Sequence, residues 1–558
     1  MFGGDFIMSN EHAWLSHLTN AVPKSAFGKR LSMYTIALEA WRRGIKVKFY
    51  RLEDPENKLR IRYSLSYRGK EYNFESSRGD LLTDQAYDIC EDKDLTKQYL
   101  SKSDIPVPEG KRFMEDSSDE EIVDCAHKLG YPLVLKPVSE NAGKGVMANI
   151  QGEDDLREAL VHVRRELKYT DVLIEKRVPG EDFRLFVLDG LVGAVQRIPA
   201  NIVGDGEHTV QELIDIKNSE RKKNPHQSSR LIIIDKEVQH LIRLGGYTLN
   251  SVPKHGEQIY LREKASLSTG GEPIDVTGEI SNEIKETAIQ SVKAIPGLAE
   301  CGVDIISDQS NKAGVVIEMN TRPGLGPHLF PVKGQARDIP KAFVDHYFPE
   351  TMHVERTNLY FDFDNVIEPL KSRSMQQIEL MSPPIGKLYA KRYIVSGDVQ
   401  GVGYRKWIRK QALQHHLHGY TQNKKSGDVV VVVAGSNQDD VSVFKTLCYQ
   451  GPDHAEVAKV KEKDYEKPVK MGFDIQKESK EKSLDKLKAK LQKEKADKEK
   501  MDQKITQLEH ENNLAQQKLE NVQQQKEQIE QIYTVLKNSR SWRYTQPLRN
   551  IGNITKRS

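Results

Sequence analysis

The chain has 558 residues, of which 37% are hydrophobic and 30% are charged. This length predicts three or four domains, and the polar composition argues against a protein built mainly of membrane spans. Lys and Arg total 84 and Asp and Glu total 81, a net charge of +3, so no overall basic field indicates nucleic acid binding. Four scattered cysteines exclude a disulfide scaffold. With no signal-peptide pattern and no long apolar run, we expect a cytoplasmic protein without a membrane span.

The distribution of apolar and polar residues predicts an α+β multidomain chain. Strand-like runs such as YPLVLKP (131–137) alternate with helical patterns over much of its length. We predict six segments in this order: an N-terminal region at 1–90, a large α+β domain at 91–350, a connector at 351–388 that packs on it, a small domain at 389–475, a helical coiled coil at 476–540 and a basic tail at 541–558.

A candidate phosphate-binding loop follows the strand that ends near Lys136. The loop SENAGKGV (139–146) contains Gly143, Lys144 and Gly145. Backbone N–H groups of such a loop can bind phosphate oxygens, because glycine allows close approach. The loop does not match the two common glycine-rich phosphate motifs, so an ordinary hairpin turn stays open as an alternative at this point.

Acidic and amide side chains follow in later strand-like runs. Asp304 lies in GVDII, and Glu318 and Asn320 lie in VIEMN. Two carboxylates and an amide oxygen on adjacent strands form an oxygen-rich site of the kind that Mg²⁺ prefers. Any one of these acids alone could be a solvated strand end.

These motifs resemble the ATP-grasp superfamily, and specifically its peptide-forming carboxylate–amine ligases such as cyanophycin synthetase and the ligase half of bifunctional glutathione synthetases. The resemblance covers about residues 91–348. Seven blocks occur in family order: DKDLTKQYLSKSDIPVPEG (92–110), GYPLVLKPVSENAGKGV (130–146), IEKRVPGEDFRLFVLDG (174–190), RIPANIVGDGEHTVQELI (197–214), LSTGGEPIDVT (267–277), GVDII (302–306) and EMNTRPGLGPH (318–328).

The resemblance implies an ATP-grasp fold and a role for each matching residue. For ATP, it implies that the phosphates are bound by Lys93, Lys136 and the loop of Gly143, Lys144 and Gly145, that adenine is contacted by Glu175 and Lys176, and that the ribose is contacted by Asp182. For the metal, it implies two Mg²⁺ ions, with Mn²⁺ as a substitute, held by Asp304, Glu318 and Asn320. It also implies that Arg184 and Arg197 face the reacting carboxylate or the γ-phosphate. The small-molecule carboxylate and amine substrates are not specified. Ser266 stands where the family usually has asparagine, which affects the acceptor end of the site.

A second candidate site begins in YIVSGDVQGVGYRKW (393–407). A run with three glycines ends a strand and opens a helix, with Arg405 beside the first N–H groups, and Asn423 follows on a turn before the next strand. Such a helix start with an arginine can bind an anion. A tight turn with a surface arginine is the alternative. HHLHG (415–419) lacks a carboxylate partner and reads as a surface segment.

From Tyr393 to about Phe473 the chain resembles acylphosphatase, a ferredoxin-like α/β sandwich. The resemblance implies that Arg405 binds the phosphate and Asn423 orients the attacking water. Thr421 and Gln422 depart from the residues that family members often carry before the asparagine.

The segment 476–540 has a heptad pattern. Leu484, Ile505, Asn512 and Leu519 share the a row, and the d row three residues later is mostly apolar. This pattern predicts a coiled coil, and an asparagine at an a position favours a parallel homodimer. Antiparallel pairing and a helical hairpin within one chain are the alternatives.

Together these features predict a bifunctional enzyme. One part is a ligase that forms a carbon–nitrogen bond through an acyl phosphate, and the other is an acylphosphatase that hydrolyses acyl phosphates to carboxylate and phosphate. The alternative is a coiled-coil scaffold or nucleotide sensor of a surface-polymer assembly in which only the acylphosphatase is catalytic. SRSWRYTQPLRN (539–550), similar to tails of bacterial surface-glycan glycosyltransferases, supports that alternative.

Overall fold

The computed structural model describes residues 14–54, 57–138, 145–308, 312–476 and 480–544. The chain forms two compact units, Met1–Gln476 and Lys477–Ser558. Within the described ranges, no helix combines the length and the apolar character needed to cross a membrane.

The N-terminal region is built around one buried helix. Its elements are α1 (Leu31–Arg42), β1 (Lys46–Glu53), β2 (Leu59–Tyr67), β3 (Lys70–Glu75) and β4 (Arg78–Gly79). Every residue of α1 is buried. This agrees with its sequence LSMYTIALEAWR, because a helix with apolar residues on all sides is found inside a protein.

A four-stranded sheet with helices on one face follows. The elements are α2 (Asp84–Glu91), α3 (Lys93–Lys102), β5 (Gly110–Phe113), α4 (Asp119–Leu129), β6 (Leu133–Pro137), β7 (Met147–Ile150), α5 (Glu153–Leu160) and β8 (Val172–Lys176). The strand order is β5-β8-β6-β7. Leu133 and Leu135 point into the core with α4 and α5, so Lys136 points to the opposite face.

The central sheet has five antiparallel strands in the order β13-β10-β9-β14-β15. The elements of this part are β9 (Glu181–Leu188), β10 (Leu191–Ile198), β11 (Asn201–Val203), α6 (Val210–Arg221), α7 (Lys236–Leu244), β12 (Gln258–Tyr260), β13 (Glu272–Asp275), α8 (Asn282–Lys293), β14 (Glu300–Ser307), β15 (Val315–Asn320), α9 (Gly326–Leu329) and α10 (Ile339–Tyr347). Phe183, Leu185 and Val303 pack on one face with α8. The alternating residues Arg184 and Asp304 therefore lie on the other face.

The connector contributes strands to two sheets. Its elements are β16 (Leu359–Tyr360), α11 (Asp364–Lys371) and β17 (Gln377–Glu379). β17 pairs with β1, which gives the N-terminal sheet the order β17-β1-β2-β3-β4. Phe361 and Phe363 pack against Tyr34 of α1 with ring centroids 5.1 Å away. The connector is thus part of the N-terminal core.

The next segment forms an open-faced sandwich of one sheet and two helices. Its elements are β18 (Tyr389–Asp398), α12 (Tyr404–Gln414), β19 (His418–Asn423), β20 (Val429–Gly435), α13 (Gln438–Gln450), β21 (Glu456–Asp464), β22 (Val469–Lys470) and β23 (Phe473–Gln476). The strand order β21-β18-β20-β19-β23 and the βαββαβ succession are those of a ferredoxin-like fold, as the sequence predicted.

Both faces of this sheet are covered. Val429, Val431 and Val433 pack under α12 and α13, whereas Val430 and Val432 belong to the core of the N-terminal region. β16 of the connector also pairs in parallel with β22. The sandwich is therefore joined to the rest of the first unit by a strand pair and by an apolar sheet face.

The second unit is helical in its described part. α14 (Lys480–Asn538) is one helix of 59 residues, and α15 (Arg540–Tyr544) follows it. Apolar residues of the predicted a and d rows are exposed along α14, among them Leu508 at 54% and Leu519 at 60%. The single helix was predicted, but the long coiled coil is not shown.

Candidate functional site

A buried carboxylate lies between two lysines on the polar face of the four-stranded sheet. Lys136 of β6 is 2.6 Å from Glu175 of β8, and Lys97 of α3 is 3.0 Å from the other oxygen of the same carboxylate. Lys93, one helical turn before Lys97, donates to the backbone oxygen of Val138 at 3.4 Å. Three ammonium groups thus lie around the strand end where the glycine-rich loop begins.

The loop itself is only partly described. Gly143 and Lys144 lie outside the described residues, whereas Gly145 has a positive φ of 68° and lies close to Pro137 and Tyr169. Lys176 is exposed beside the buried Glu175. The predicted phosphate and adenine contacts of these residues remain predictions.

A second charged cluster occupies the polar face of the central sheet. Arg184 of β9 donates to both oxygens of Asp304 of β14, at 2.6 and 2.7 Å. Arg197 of β10 donates to Asp304 at 3.1 Å and to Asp182 at 2.7 Å. The register explains this cluster, because Asp304 lies opposite Arg184 and Arg197 lies opposite Asp182.

The candidate metal ligands lie side by side on β14 and β15. Asp304 is directly opposite Glu318, and Asn320 is opposite Gly302 two positions along. Like charges opposite each other repel, and here the nearby Arg184 offsets this repulsion, because it interacts with both Asp304 and Glu318. The amide nitrogen of Asn320 is buried without a hydrogen-bond partner.

These residues fit Mg²⁺ by their chemistry, because all three present oxygen atoms. Among the described residues, however, no three Asp, Glu, His or Cys side chains converge as a metal site. The candidate set has only two carboxylates, and both oxygens of Asp304 already accept hydrogen bonds from arginines. A metal bound here would therefore share Asp304 with Arg184 and Arg197.

The charge state of this cluster follows from burial and ion pairing. Burial opposes ionisation of Asp304, but Arg184 and Arg197 outweigh it and lower its pKa below the usual value. Burial raises the pKa of Asp182 to about 6 despite its bond to Arg197, and the nearby Asp304 carboxylate adds to this rise. Asp304 is therefore the more firmly ionised of the two acids.

Sequence reasoning missed two residues near these clusters, the partly buried Lys97 and the buried His328. Lys97 lies in the motif at 92–110, four residues after Lys93. This spacing places both lysines on one helix face and could have identified Lys97 from the sequence. His328 ends the last motif of the ATP-grasp resemblance, and both of its ring nitrogens are buried without a partner. Burial, and then Arg184, lower the pKa of His328 to about 3, so it is neutral.

The second candidate site lies where α12 of the sandwich begins. Gly401 and Gly403 have φ values of 82° and 83°, which side chains disfavour, and Gly403 is the residue before the helix. These turns expose the first N–H groups of α12 beside Arg405, which is half-buried and forms no ion pair with any described residue. An arginine and free N–H groups at a helix start can bind a phosphate.

Asn423 ends β19 on the same side of the sandwich. Its side-chain oxygen is buried without a hydrogen-bond partner, so it can accept a hydrogen bond from a ligand or a water. Gln400 of the glycine loop donates to the backbone oxygens of Lys424 and Asp428, both at 2.9 Å, and so ties the loop to the turn after Asn423. Thr421 is buried and donates to Val430, a core contact.

The HHLHG segment does not assemble a metal site in the described part of the chain. His415 is 3.4 Å from Asp440, and the Nδ1 atom of His418 accepts from the backbone N–H of Gly472 at 3.2 Å. These contacts account for two of the three histidines. The hydroxyl groups of Ser266 and Ser268 are 2.8 Å apart.

Comparison with known proteins identifies two domains. Residues 92–182 match the model of the carbamoyl-phosphate synthase L chain ATP binding domain, and residues 391–475 match the acylphosphatase model. Cyanophycin synthetase of Crocosphaera subtropica is 35% identical over 272 residues, 47% of this chain and 31% of that protein. The glutathione biosynthesis bifunctional protein GshAB of Enterococcus faecalis is 36% identical over 277 residues, 47% of this chain and 36% of that protein.

Among solved structures, the bifunctional glutathione synthetase of Pasteurella multocida has a TM-score of 0.42 and 30% identity, over 52% of this chain and 41% of that one. The chain spans about a third of the length of the curated relatives given above. These matches do not favour the scaffold alternative. The chain therefore contains an ATP-grasp domain similar to those of cyanophycin synthetase and GshAB, followed by an acylphosphatase domain.

Proposed function

We propose that the first domain is an ATP- and Mg²⁺-dependent ligase that joins a carboxylate to an amine through an acyl phosphate. The observation that carries this proposal is the cluster of Arg184, Arg197, Asp304, Glu318 and Asn320 on one sheet face. It combines two guanidinium groups with oxygen ligands, which is the combination that phosphoryl transfer to a carboxylate needs.

In this mechanism the lysines and arginines act as fixed positive charges. Lys93 and Lys136 bind phosphate oxygens, while Arg184 and Arg197 orient the carboxylate that attacks the γ-phosphate. Magnesium bound by Asp304, Glu318 and Asn320 would neutralise charge on the phosphates. The acyl phosphate then reacts with the amine, which forms the C–N bond and releases phosphate.

We propose that the second domain hydrolyses acyl phosphates. Arg405 and the N–H groups at the start of α12 hold the phosphoryl group, and the Asn423 side-chain oxygen orients a water towards phosphorus. The link between the two domains is chemical, because the first makes the kind of mixed anhydride that the second cleaves. An activated acid that meets no amine would thus be returned to the free carboxylate.

The test is ADP release by the full chain, screened over amino acids, dipeptides and small dicarboxylates with and without amines. A carboxylate-dependent release of ADP supports the ligase, and hydroxylamine traps its acyl phosphate as a hydroxamate. If the ligase makes this intermediate, Asn423→Ala raises the hydroxamate yield without amine, because less of the acyl phosphate is hydrolysed. The ligase proposal fails if no carboxylate stimulates ADP release in either protein.

We also propose that α14 pairs in parallel with a second copy of this chain. Ile505, Leu508, Leu519, Val522 and Ile529 form a stripe at heptad spacing, and each is at least 48% exposed. Asn512 in the same stripe favours a partner with an identical helix, because a buried asparagine is best satisfied by its own counterpart. The cytoplasmic location stays a prediction.

A further inference from the structure

The single carboxylate of Glu175 forms ion pairs with two lysines. Its carboxylate is 2.6 Å from Lys136 and 3.0 Å from Lys97, one ammonium for each oxygen. The side chains are 4%, 7% and 14% exposed for Glu175, Lys136 and Lys97, so all three charges are shielded from water. The glycine at 110 lies against Glu175, where an added Cβ would come within 2.8 Å of its Cγ atom.

The proposed function gives Lys136 a second task. To bind a phosphate of ATP, the Lys136 ammonium has to leave the Glu175 carboxylate or contact the carboxylate and a phosphate oxygen at the same time. A buried carboxylate that loses its only partner is strongly destabilised, and this loss would oppose nucleotide binding. Lys97 prevents the loss, because it remains on the other oxygen of Glu175.

Lys93 and Lys97 of α3 contact residues at two different strands of the sheet. Lys93 donates to the Val138 backbone oxygen at the end of β6, whereas Lys97 reaches Glu175 on β8. They are four residues apart and thus on the same face of the helix. One helix face thereby supplies a charge beside the phosphate loop and a separate charge for the carboxylate.

We propose that Lys97 is a positioning residue for nucleotide binding: it acts as the standing counter-ion of Glu175 and so frees Lys136 to bind a nucleotide phosphate. Lys97 itself need not touch the nucleotide. This inference rests on the proposed function, since it requires that the domain binds a nucleoside phosphate.

The test is a double-mutant cycle on the full chain with Lys97→Met and Glu175→Gln. Binding of Mg²⁺–ADP and of a non-hydrolysable ATP analogue is measured by calorimetry. We expect Lys97→Met alone to weaken binding about 10- to 100-fold. In the Glu175→Gln background the same change should cost little, because an amide needs no counter-ion. Lys97→Arg should retain most of the affinity.

Two controls separate positioning from folding. Lys102→Met removes an exposed lysine of the same helix and should leave affinity unchanged. Thermal unfolding without nucleotide should change little in Lys97→Met, because Lys136 still pairs with Glu175 in that state.

The inference is overturned if Lys97→Met leaves affinity unchanged, or costs the same with Glu175 present and with Glu175→Gln. It is also overturned if the variant loses stability without nucleotide but binds as tightly as the parent. A parent protein that binds neither nucleotide contradicts the proposed function itself, and this outcome is distinct from a parent that binds while the cycle shows no coupling.

Discussion

Asp304 and Arg184 form a two-bond ion pair across neighbouring strands, with distances of 2.6 and 2.7 Å. Arg197 adds a third bond to the same carboxylate at 3.1 Å. Glu318 lies opposite Asp304 but accepts none of these bonds. The two proposed metal ligands therefore differ in their structural task, and replacing each should have a different effect.

Asp304→Asn should destabilise the protein, whereas Glu318→Gln should mainly remove ligase activity. The first change leaves two largely buried guanidinium groups short of a counter-charge, which costs about 2–4 kcal/mol of unfolding free energy. The second removes a half-buried carboxylate ligand and should lower carboxylate-dependent ADP release at least about 100-fold, with little change in stability. Thermal unfolding and ADP assays on both variants check this. Glu279→Gln, at an exposed acid, is the control, and equal stability losses in the two variants would contradict the prediction.

Glu300 should make stability depend on pH. Burial raises its pKa to about 7, although Gly79 and Tyr347 donate hydrogen bonds to it. The folded state therefore holds a proton that the unfolded state has lost above about pH 4.5, so this contribution falls as pH rises from about 4.5 to 7 and is constant above. Glu300→Gln removes the charge and should gain stability over the parent across this window, by up to about 3 kcal/mol. Unfolding at pH 5 and pH 7.5 measures it, and an equal difference at both pH values would contradict it.

The acylphosphatase domain of the full chain should hydrolyse benzoyl phosphate without ATP or added metal. Arg405→Ala should lower kcat/KM at least about 100-fold, because its guanidinium is the main positively charged group that contacts the bound phosphoryl group. Asn423→Ala should lower kcat more than it raises KM. Arg409→Ala, one turn further along α12 and exposed, is the matched control. Near-parental hydrolysis by both site variants would refute the assigned roles.

Val432→Lys should have opposite effects in the full chain and in a fragment of residues 387–476. Val432 is fully buried in the full chain, in the core that the sandwich shares with the N-terminal region. A lysine there should destabilise the full chain by about 2–4 kcal/mol, as a buried charge without a partner. The fragment lacks that cover, so its sheet face is exposed and the lysine should reduce aggregation. Unfolding of the full chain measures the first effect, and light scattering of the fragment measures the second. A fragment that is soluble with and without the substitution would contradict the prediction that this sheet face needs to be covered.

The full chain should be dimeric, and a truncation after Lys477 should be monomeric, in light scattering at micromolar concentration. Asn512→Leu should strengthen association, because it removes a buried amide from the seam, and should broaden the range of oligomers. A monomeric full chain, or a dimer that survives the truncation, would contradict pairing through α14.

Local features of the chain predicted much of the fold and named the residues that are proposed for both candidate sites. Apolar runs in the sequence predicted the strands, and the glycines before Arg405 predicted the turn, where the structure gives Gly401 and Gly403 positive φ values. Both predictions depend on the residues' own backbone preferences. The placement of Asp304 beside Glu318 was also predictable, since their strands follow each other in the chain and pair as antiparallel neighbours. The long helix followed from the heptad pattern of its segment.

Tertiary packing decided the partners of these residues. The sequence does not show that Lys97 reaches Glu175, that Arg184 is bound to Asp304, or that Val430 and Val432 cover a second core, because each contact joins elements far apart in the chain. Charge pairing and burial depend on the register and on which faces meet, and these are set by the packing of whole elements. The sequence by itself thus determined which polar groups the chain contains and roughly where along it they occur, and the tertiary structure decided which neighbour each of them contacts.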